Sequence, residues 1–188
     1  RARPHLIEVN ISCPNVSDEF GTPFAATCES AAAVTAAVKA ATDIPISVKL
    51  APNVPNIGRI AAAVVEAGAD AITAINTMPG MLINAEAGKA VLSNRMGGIS
   101  GPALKPVALR CVAEIARAVK VPIIGTGGVM NGVDAAEMLM AGATAVGVGS
   151  AVWYRGVEAL AAIRDELSMF MQQQGYQRLS DLRGAALK

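Results

Sequence analysis

The chain has 188 residues, enough for one domain with a substantial core. Hydrophobic residues make up 53% and aromatics 3%, so Ala, Val, Ile and Leu supply the apolar content, and the aromatic–basic interleaving that binds single-stranded nucleic acid is missing. A net charge of +1 gives no electrostatic case for nucleic acid or an acidic membrane surface, and no apolar run reaches the roughly 18 residues of a membrane span.

The N-terminal stretch Arg1-Ala2-Arg3-Pro4-His5 lacks the apolar segment of a signal peptide and leads straight onto a strand, as expected of a chain that starts in mid-domain. Ile7-Glu8-Val9-Asn10-Ile11-Ser12-Cys13-Pro14-Asn15 opens as that apolar, β-rich strand and ends in a polar cluster, and Pro14 stops the strand because proline has no N–H to give a ladder. Asn10 and Ser12 share a face if the strand persists, and Cys13 lies where strand becomes loop. A polar, Gly-containing loop from Val16 to Thr27 is long for a plain βα connection and reads as a lid. A helix is predicted over Glu29–Ala41, then a strand over Ile46–Leu50. Asn56 caps a predicted helix over Ile57–Ala67, which Gly68 stops. Ala71–Ile75 is the next strand, ending in Asn76-Thr77.

Met78 to Pro102 shows no clear period and many glycines, which suggests an excursion over the top of the domain with a small hairpin at Lys89–Leu92. A helix follows over Ala103–Val119, then the strand Ile123-Ile124-Gly125 and the turn Thr126-Gly127-Gly128. Asn131 or Asp134 caps a helix reaching Ala141. Ala145–Val148 is the last strand, followed by Gly149-Ser150, and a terminal helix is expected over Val157–Gln174.

The two halves echo each other. Ile44-Pro45-Ile46 and Val121-Pro122-Ile123 each open a strand, and Ala67-Gly68-Ala69 and Ala141-Gly142-Ala143 each precede the next one. A repeated βα unit with right-handed crossovers predicts an α/β fold with a parallel sheet, and favours a (β/α)8 TIM barrel over a Rossmann sheet. No Gly-x-Gly-x-x-Gly follows the first strand, which also argues against Rossmann. Only five strands are legible, whereas a barrel needs eight and about 250 residues. The expectation is one partial TIM-barrel domain over residues 1–188, holding strands four to eight with their helices.

Parallel strands bring their carboxyl ends to one rim, where barrels do their chemistry. Asn10, Cys13, Asn15, Lys49, Asn76, Thr77, Gly127, Gly128, Gly149 and Ser150 all fall there. The paired Gly-rich turns after the last two strands suit a phosphate held by exposed N–H groups, although tight turns alone would also use glycine. Lys49 in a buried strand needs either an anionic ligand or a structural ion pair. Cys13 reads as a reactive thiol or an inert one, with its polar setting in favour of the former. Cys28 and Cys111 read as packing, His5 as non-catalytic and Arg95 as a loop charge. The three cysteines are an odd number without metal-ligand spacing, His5 is the single histidine, and no metal site is expected. Reduced thiols point to the cytoplasm.

Asn10-Ile11-Ser12-Cys13-Pro14-Asn15, Ser47-Val48-Lys49-Leu50, Ile75-Asn76-Thr77, the stretch Ser93 to Pro106, Gly125-Thr126-Gly127-Gly128-Val129 and Gly147-Val148-Gly149-Ser150 together resemble dihydroorotate dehydrogenase. The resemblance follows the family's order over nearly the whole chain. It is closest to the soluble class 1 catalytic subunit, particularly the NAD-linked type 1B, because the base position carries cysteine where class 2 carries serine. It implies FMN on the barrel rim and oxidation of dihydroorotate to orotate in pyrimidine biosynthesis. Cys13 is then the general base, and Asn10, Asn15, Asn76 and Thr77 bind the pyrimidine. Asn10, Lys49, Ile75, Gly101, Gly127, Gly128, Gly149 and Ser150 hold the flavin.

The resemblance further implies a homodimeric core and a partner subunit carrying FAD and a 2Fe–2S cluster. It also implies that three earlier strands belong to the fold, that they supply another flavin lysine and an asparagine loop, and that this chain alone binds FMN weakly or not at all. Gly21 to Thr27 is only loosely like the family's lid. Three other readings share some of these features. They are a dihydropyrimidine dehydrogenase-like flavin domain, a redox-free phosphate-binding barrel, and a non-catalytic barrel fragment.

Overall fold

The structure is a computed structural model that describes residues 3–13 and 24–188. Asn15, Pro14 and most of the expected lid, residues 16–23, lie outside the described residues.

The elements in chain order are β1 (Ile7–Asn10), α1 (Cys28–Ala41), β2 (Ile46–Leu50), α2 (Ile57–Glu66) and β3 (Ala71–Ala74). An excursion of four short strands follows: β4 (Met78–Met81), β5 (Ile83–Asn84), β6 (Lys89–Ala90) and β7 (Met96–Ile99). Then come α3 (Lys105–Ala118), β8 (Ile123–Thr126), α4 (Gly132–Met140), β9 (Ala145–Gly147), α5 (Ser150–Arg155), α6 (Ala159–Gln174) and α7 (Leu179–Leu182).

The main sheet has five strands in the order β1-β2-β3-β8-β9. Every neighbouring pair is parallel. Spatial order equals chain order, with no reversal point of the Rossmann kind. Successive helices pack on each other as well, α1 on α2, α2 on α3 and α3 on α4. They therefore share one side of the sheet, which makes this an arc of a (β/α) barrel rather than a doubly wound sheet.

Strand alternation divides the sheet into two faces. Val48, Leu50, Ile72, Ala74 and Ile123 are buried toward the helices and join the main core. Gly125 shares that face, and a methyl on it would stand 2.9 Å from Ala143 Cβ, so its bareness brings α4 close. The opposite face is polar. The register aligns Glu8 with Ser47 and Asn10 with Lys49, then Lys49 with Thr73. Ser47 Oγ and Thr73 Oγ1 lie 2.9 Å apart in a hydrogen bond, so these two buried hydroxyls satisfy each other.

Local chemistry explains most element ends. Asn56 accepts from the Arg59 N–H and Asn131 from the Asp134 N–H. The Asp134 carboxylate returns the favour by accepting from the Asn131 N–H, which completes a capping box. Gly68 at φ 106 and Gly142 at φ 111 leave their helices in the left-handed region that favours glycine. Asp70 ties three elements together by accepting from Lys39 Nζ of α1 at 2.6 Å and from the Ile46 N–H of β2 at 2.8 Å.

Three expectations need correction. β1 stops at Asn10 rather than persisting to Ser12. The excursion is more regular than the glycine content suggested. β4 and β7 form an antiparallel pair with Met78 opposite Ile99, and the inner hairpin pairs β5 with β6 instead of occupying 89–92 alone. Short pairs of this kind carry no periodic signal in the sequence. The C-terminal helix starts at Ala159, and a separate α5 precedes it, ended by Gly156 at φ 78.

Candidate functional site at the carboxyl rim

The carboxyl ends of β2, β3, β8 and β9 surround a hollow of about 150 Å³. Lys49 reaches it from β2. Ile75, Asn76 and Thr77 line it from the end of β3, where the Ala74–Ile75 peptide is cis. Gly127 and Gly128 line it after β8, and Gly149 and Ser150 after β9. Gly101 closes it ahead of α3. The hollow thus gathers all but three of the residues singled out for the site from the sequence. Of those three, Asn15 lies outside the described residues. Asn10 and Cys13 sit at and just past the end of β1, on the same rim but not in the wall of this hollow.

Asn10 is nevertheless joined to it. Asn76 Nδ2 donates to Ser12 Oγ and to the Ser12 carbonyl, each at 3.0 Å, and lies 3.4 Å from Asn10 Oδ1. Ser12 Oγ donates to Asn10 Oδ1 at 3.0 Å. Cys13 is a half-buried free thiol directly after this network. Ser12 and Thr77 also line a smaller cleft of about 60 Å³ with Asn53 and Pro79, so Thr77 belongs to both openings.

Lys49 Nζ lies 3.4 Å from Glu8 Oε1 on the neighbouring strand. This lysine therefore has a carboxylate partner and also lines the hollow. The side chains of Lys49 and Glu8 are 25% and 41% exposed, so the pair is well solvated and leaves the ammonium available to a second anion.

The glycines divide by cause. Gly128 has φ 79, and a methyl there would stand 2.6 Å from the Lys105 backbone nitrogen. Its bareness is demanded by α3 packing. A methyl on Gly149 would meet nothing within 4 Å, and its φ of −122° lies outside the left-handed region that favours glycine. Packing within the described residues gives no reason for glycine at 149, whereas a ligand against that backbone does. Behind the Gly127-Gly128 turn, Lys105 Nζ donates to Asp134 Oδ1 at 2.6 Å and contacts Glu137 Oε2 at 2.7 Å. The Asp134 hydrogen bond, and then the Glu137 one, raise the lysine above its ordinary value.

Sequence reasoning missed Ser100, Leu104, Thr126 and Val129, which also line the hollow. Ser100 and Thr126 each adjoin a glycine already singled out. Leu104 and Val129 are buried and carry no signal that separates them from core. The lining includes a lysine, hydroxyls, an amide and four glycines, and no carboxylate among the described residues. That donor set fits a phosphorylated ring cofactor, and the open space at Gly149 fits a close approach of its phosphate. Cys28 starts α1 and Cys111 is buried in α3, where burial pushes its thiol up. No group of His, Cys, Asp and Glu able to hold a metal occurs among the described residues. No helix among them is long and apolar enough to cross a membrane.

An arc of parallel strands with a cationic, glycine-lined hollow at its carboxyl rim defines a barrel protein of the ligand-binding class. The chain belongs to the dihydroorotate dehydrogenase family, whose profile matches residues 3–171. It is 54% identical over 168 residues to dihydroorotate dehydrogenase A (fumarate) of Lacticaseibacillus paracasei, covering 89% of this chain and 57% of that protein. It is 46% identical over 182 residues to the catalytic subunit of dihydroorotate dehydrogenase B (NAD(+)) of Methanothermobacter thermautotrophicus, covering 96% of this chain and 60% of that one. The chain thus spans less than two thirds of these relatives' length. A crystal structure of DHODH from Eimeria tenella in complex with ferulenol superposes with a TM-score of 0.81 at 24% identity, covering 98% of this chain and 54% of that chain, and so shares the fold.

Proposed function

We propose that this chain forms the larger part of a single FMN-binding barrel domain that oxidises dihydroorotate to orotate in pyrimidine biosynthesis. The observation that carries the reading is the convergence of Lys49, Asn76, Thr77, Gly127, Gly128, Gly149 and Ser150 on one hollow, in a chain of this family. When bound, FMN supplies the acceptor for the hydride leaving C6 of the substrate.

The chain's own residues do the rest. Cys13 as thiolate takes the proton from C5, next to a carbonyl that acidifies it. Asn10, Asn15, Asn76 and Thr77 orient the pyrimidine, since amides match an imide edge with both donors and acceptors. Lys49 places positive charge where the reduced flavin gains negative charge. Ile75 and Gly101 pack against the ring system, and the backbone at Gly127, Gly128, Gly149 and Ser150 holds the phosphate.

The names of the relatives divide between fumarate and NAD(+), and those of the B type are called catalytic subunits. In the B-type reading the chain works as a homodimeric core with a partner carrying FAD and a 2Fe–2S cluster. The test is one anaerobic spectrum of the complete protein. Flavin absorbance that bleaches on adding dihydroorotate is the expected result, and a colourless protein or an unbleached flavin overturns the reading. Re-oxidation by fumarate alone then separates the A type from the B type.

A further inference from the structure

Ser12 is the hub of the rim's hydrogen bonds, although it does not line the hollow. It is buried at 4% exposure just past the end of β1. Backbone groups fix how the two neighbouring amides must point. The Thr77 N–H donates to Asn76 Oδ1 at 2.8 Å, so that end of the Asn76 amide is oxygen. The other end meets the Ser12 carbonyl at 3.0 Å, an acceptor only, so it is the NH₂. The same NH₂ donates to Ser12 Oγ at 3.0 Å. Having accepted there, the hydroxyl gives its own proton to Asn10 Oδ1 at 3.0 Å. The Ser12 N–H also points at Asn10 Oδ1, at 3.3 Å. Asn10 therefore turns its oxygen to Ser12, and its NH₂ makes no hydrogen bond among the described residues.

From this geometry we infer that Ser12 is a positioning residue. Its hydroxyl supplies the shortest of the bonds that hold the Asn10 oxygen inward, so that Asn10 presents donors to the ligand, and it thereby favours a ligand edge that accepts: a carbonyl or a carboxylate. The inference rests on the pyrimidine reading above and adds to it the residue that sets the polarity. A hydroxyl is suited to the task because one atom both accepts and donates. An alanine there removes both hydroxyl bonds and leaves Asn10 Oδ1 only the longer contacts, from the Ser12 N–H at 3.3 Å and from Asn76 Nδ2 at 3.4 Å, so the amide is held less firmly and presents its donors to the ligand less often.

The test is a double-mutant cycle in the complete, flavin-loaded protein, read as the orotate dissociation constant from the flavin spectrum. Ser12→Ala is expected to raise that constant tenfold or more. In an Asn10→Ala background the same change is expected to matter clearly less, about threefold at most, because the share that runs through Asn10 is gone and only the contact with Asn76 remains. Equal effects in both backgrounds, or no effect in either, overturn the inference. Side-chain amide proton exchange of Asn76, measured without ligand, reads the hub directly. It should quicken at least tenfold in Ser12→Ala, and unchanged exchange also overturns the inference. If the parent protein does not bind orotate, the pyrimidine reading fails while the exchange measurement still decides whether Ser12 holds the amides.

Discussion

The backbone of Gly98 lies directly over Thr77: a methyl built on Gly98 would stand 1.9 Å from Thr77 Oγ1. Thr77 lines both the hollow and the smaller cleft, so the β4–β7 pair acts as the roof that seats its hydroxyl. Gly98→Ala must lift β7 or rotate Thr77. The expected outcome is a rise in KM for dihydroorotate of about tenfold, equivalent to roughly 1.4 kcal/mol. Thermal denaturation should show little change, because the pair is exposed and contributes little core. Steady-state kinetics beside a melting curve checks both halves.

Cys13→Ser should slow turnover about a hundredfold or more at neutral pH, the usual worth of a positioned base. Steady-state turnover checks it, and a variant that keeps the parent's rate would count against Cys13 as the base.

Gly128→Ala and Gly149→Ala should separate packing from ligand binding. The first forces a side chain into the left-handed region at φ 79 and against the Lys105 backbone, and should destabilise the fold by about 1–3 kcal/mol. The second meets nothing within 4 Å and should leave the denaturation midpoint unchanged. It should still weaken flavin binding, measured as flavin retained after dialysis. Full retention in Gly149→Ala would remove the phosphate from that backbone.

Glu8→Gln should change stability by less than about 1 kcal/mol, as expected for a solvated ion pair whose Lys49–Glu8 separation is 3.4 Å. Lys49→Met should reduce flavin reduction by dihydroorotate far more than Glu8→Gln does. Equal losses in the two variants would mean that the lysine serves its carboxylate partner rather than the ligand. Stopped-flow reduction of the bound flavin makes the comparison.

Asp70 sits below the ordinary carboxylate value of 3.8, first because Lys39 donates to it and then because the Ile46 N–H does. A carboxylate with a depressed folded-state value stabilises the fold above the unfolded value, and this contribution fades as pH falls through the folded one. The stability difference between the parent and Asp70→Asn should therefore be full at neutral pH and shrink below about pH 4. Chemical denaturation at pH 7 and at pH 3 reads it, and a difference that grows toward acid contradicts the assignment.

Much of the architecture follows from short-range chemistry. Apolar runs such as Ile46–Leu50 and Ala71–Ala74, the caps at Asn56 and Asn131, and the stops at Gly68 and Gly142 all act within a turn of their own position, so they are legible one after another along the chain. The repeated βα unit makes the strands parallel, and parallel strands put Lys49, Asn76, Gly127 and Gly149 on one rim whatever the details. The partnerships are another matter. That Lys49 finds Glu8, that Ser12 bridges Asn10 and Asn76, and that Gly98 covers Thr77 depend on register and on chain segments far apart in sequence. Strand alternation tells which face a residue takes, but only the folded sheet determines what stands opposite it, because a slip of one residue in register sends every side chain to the other face.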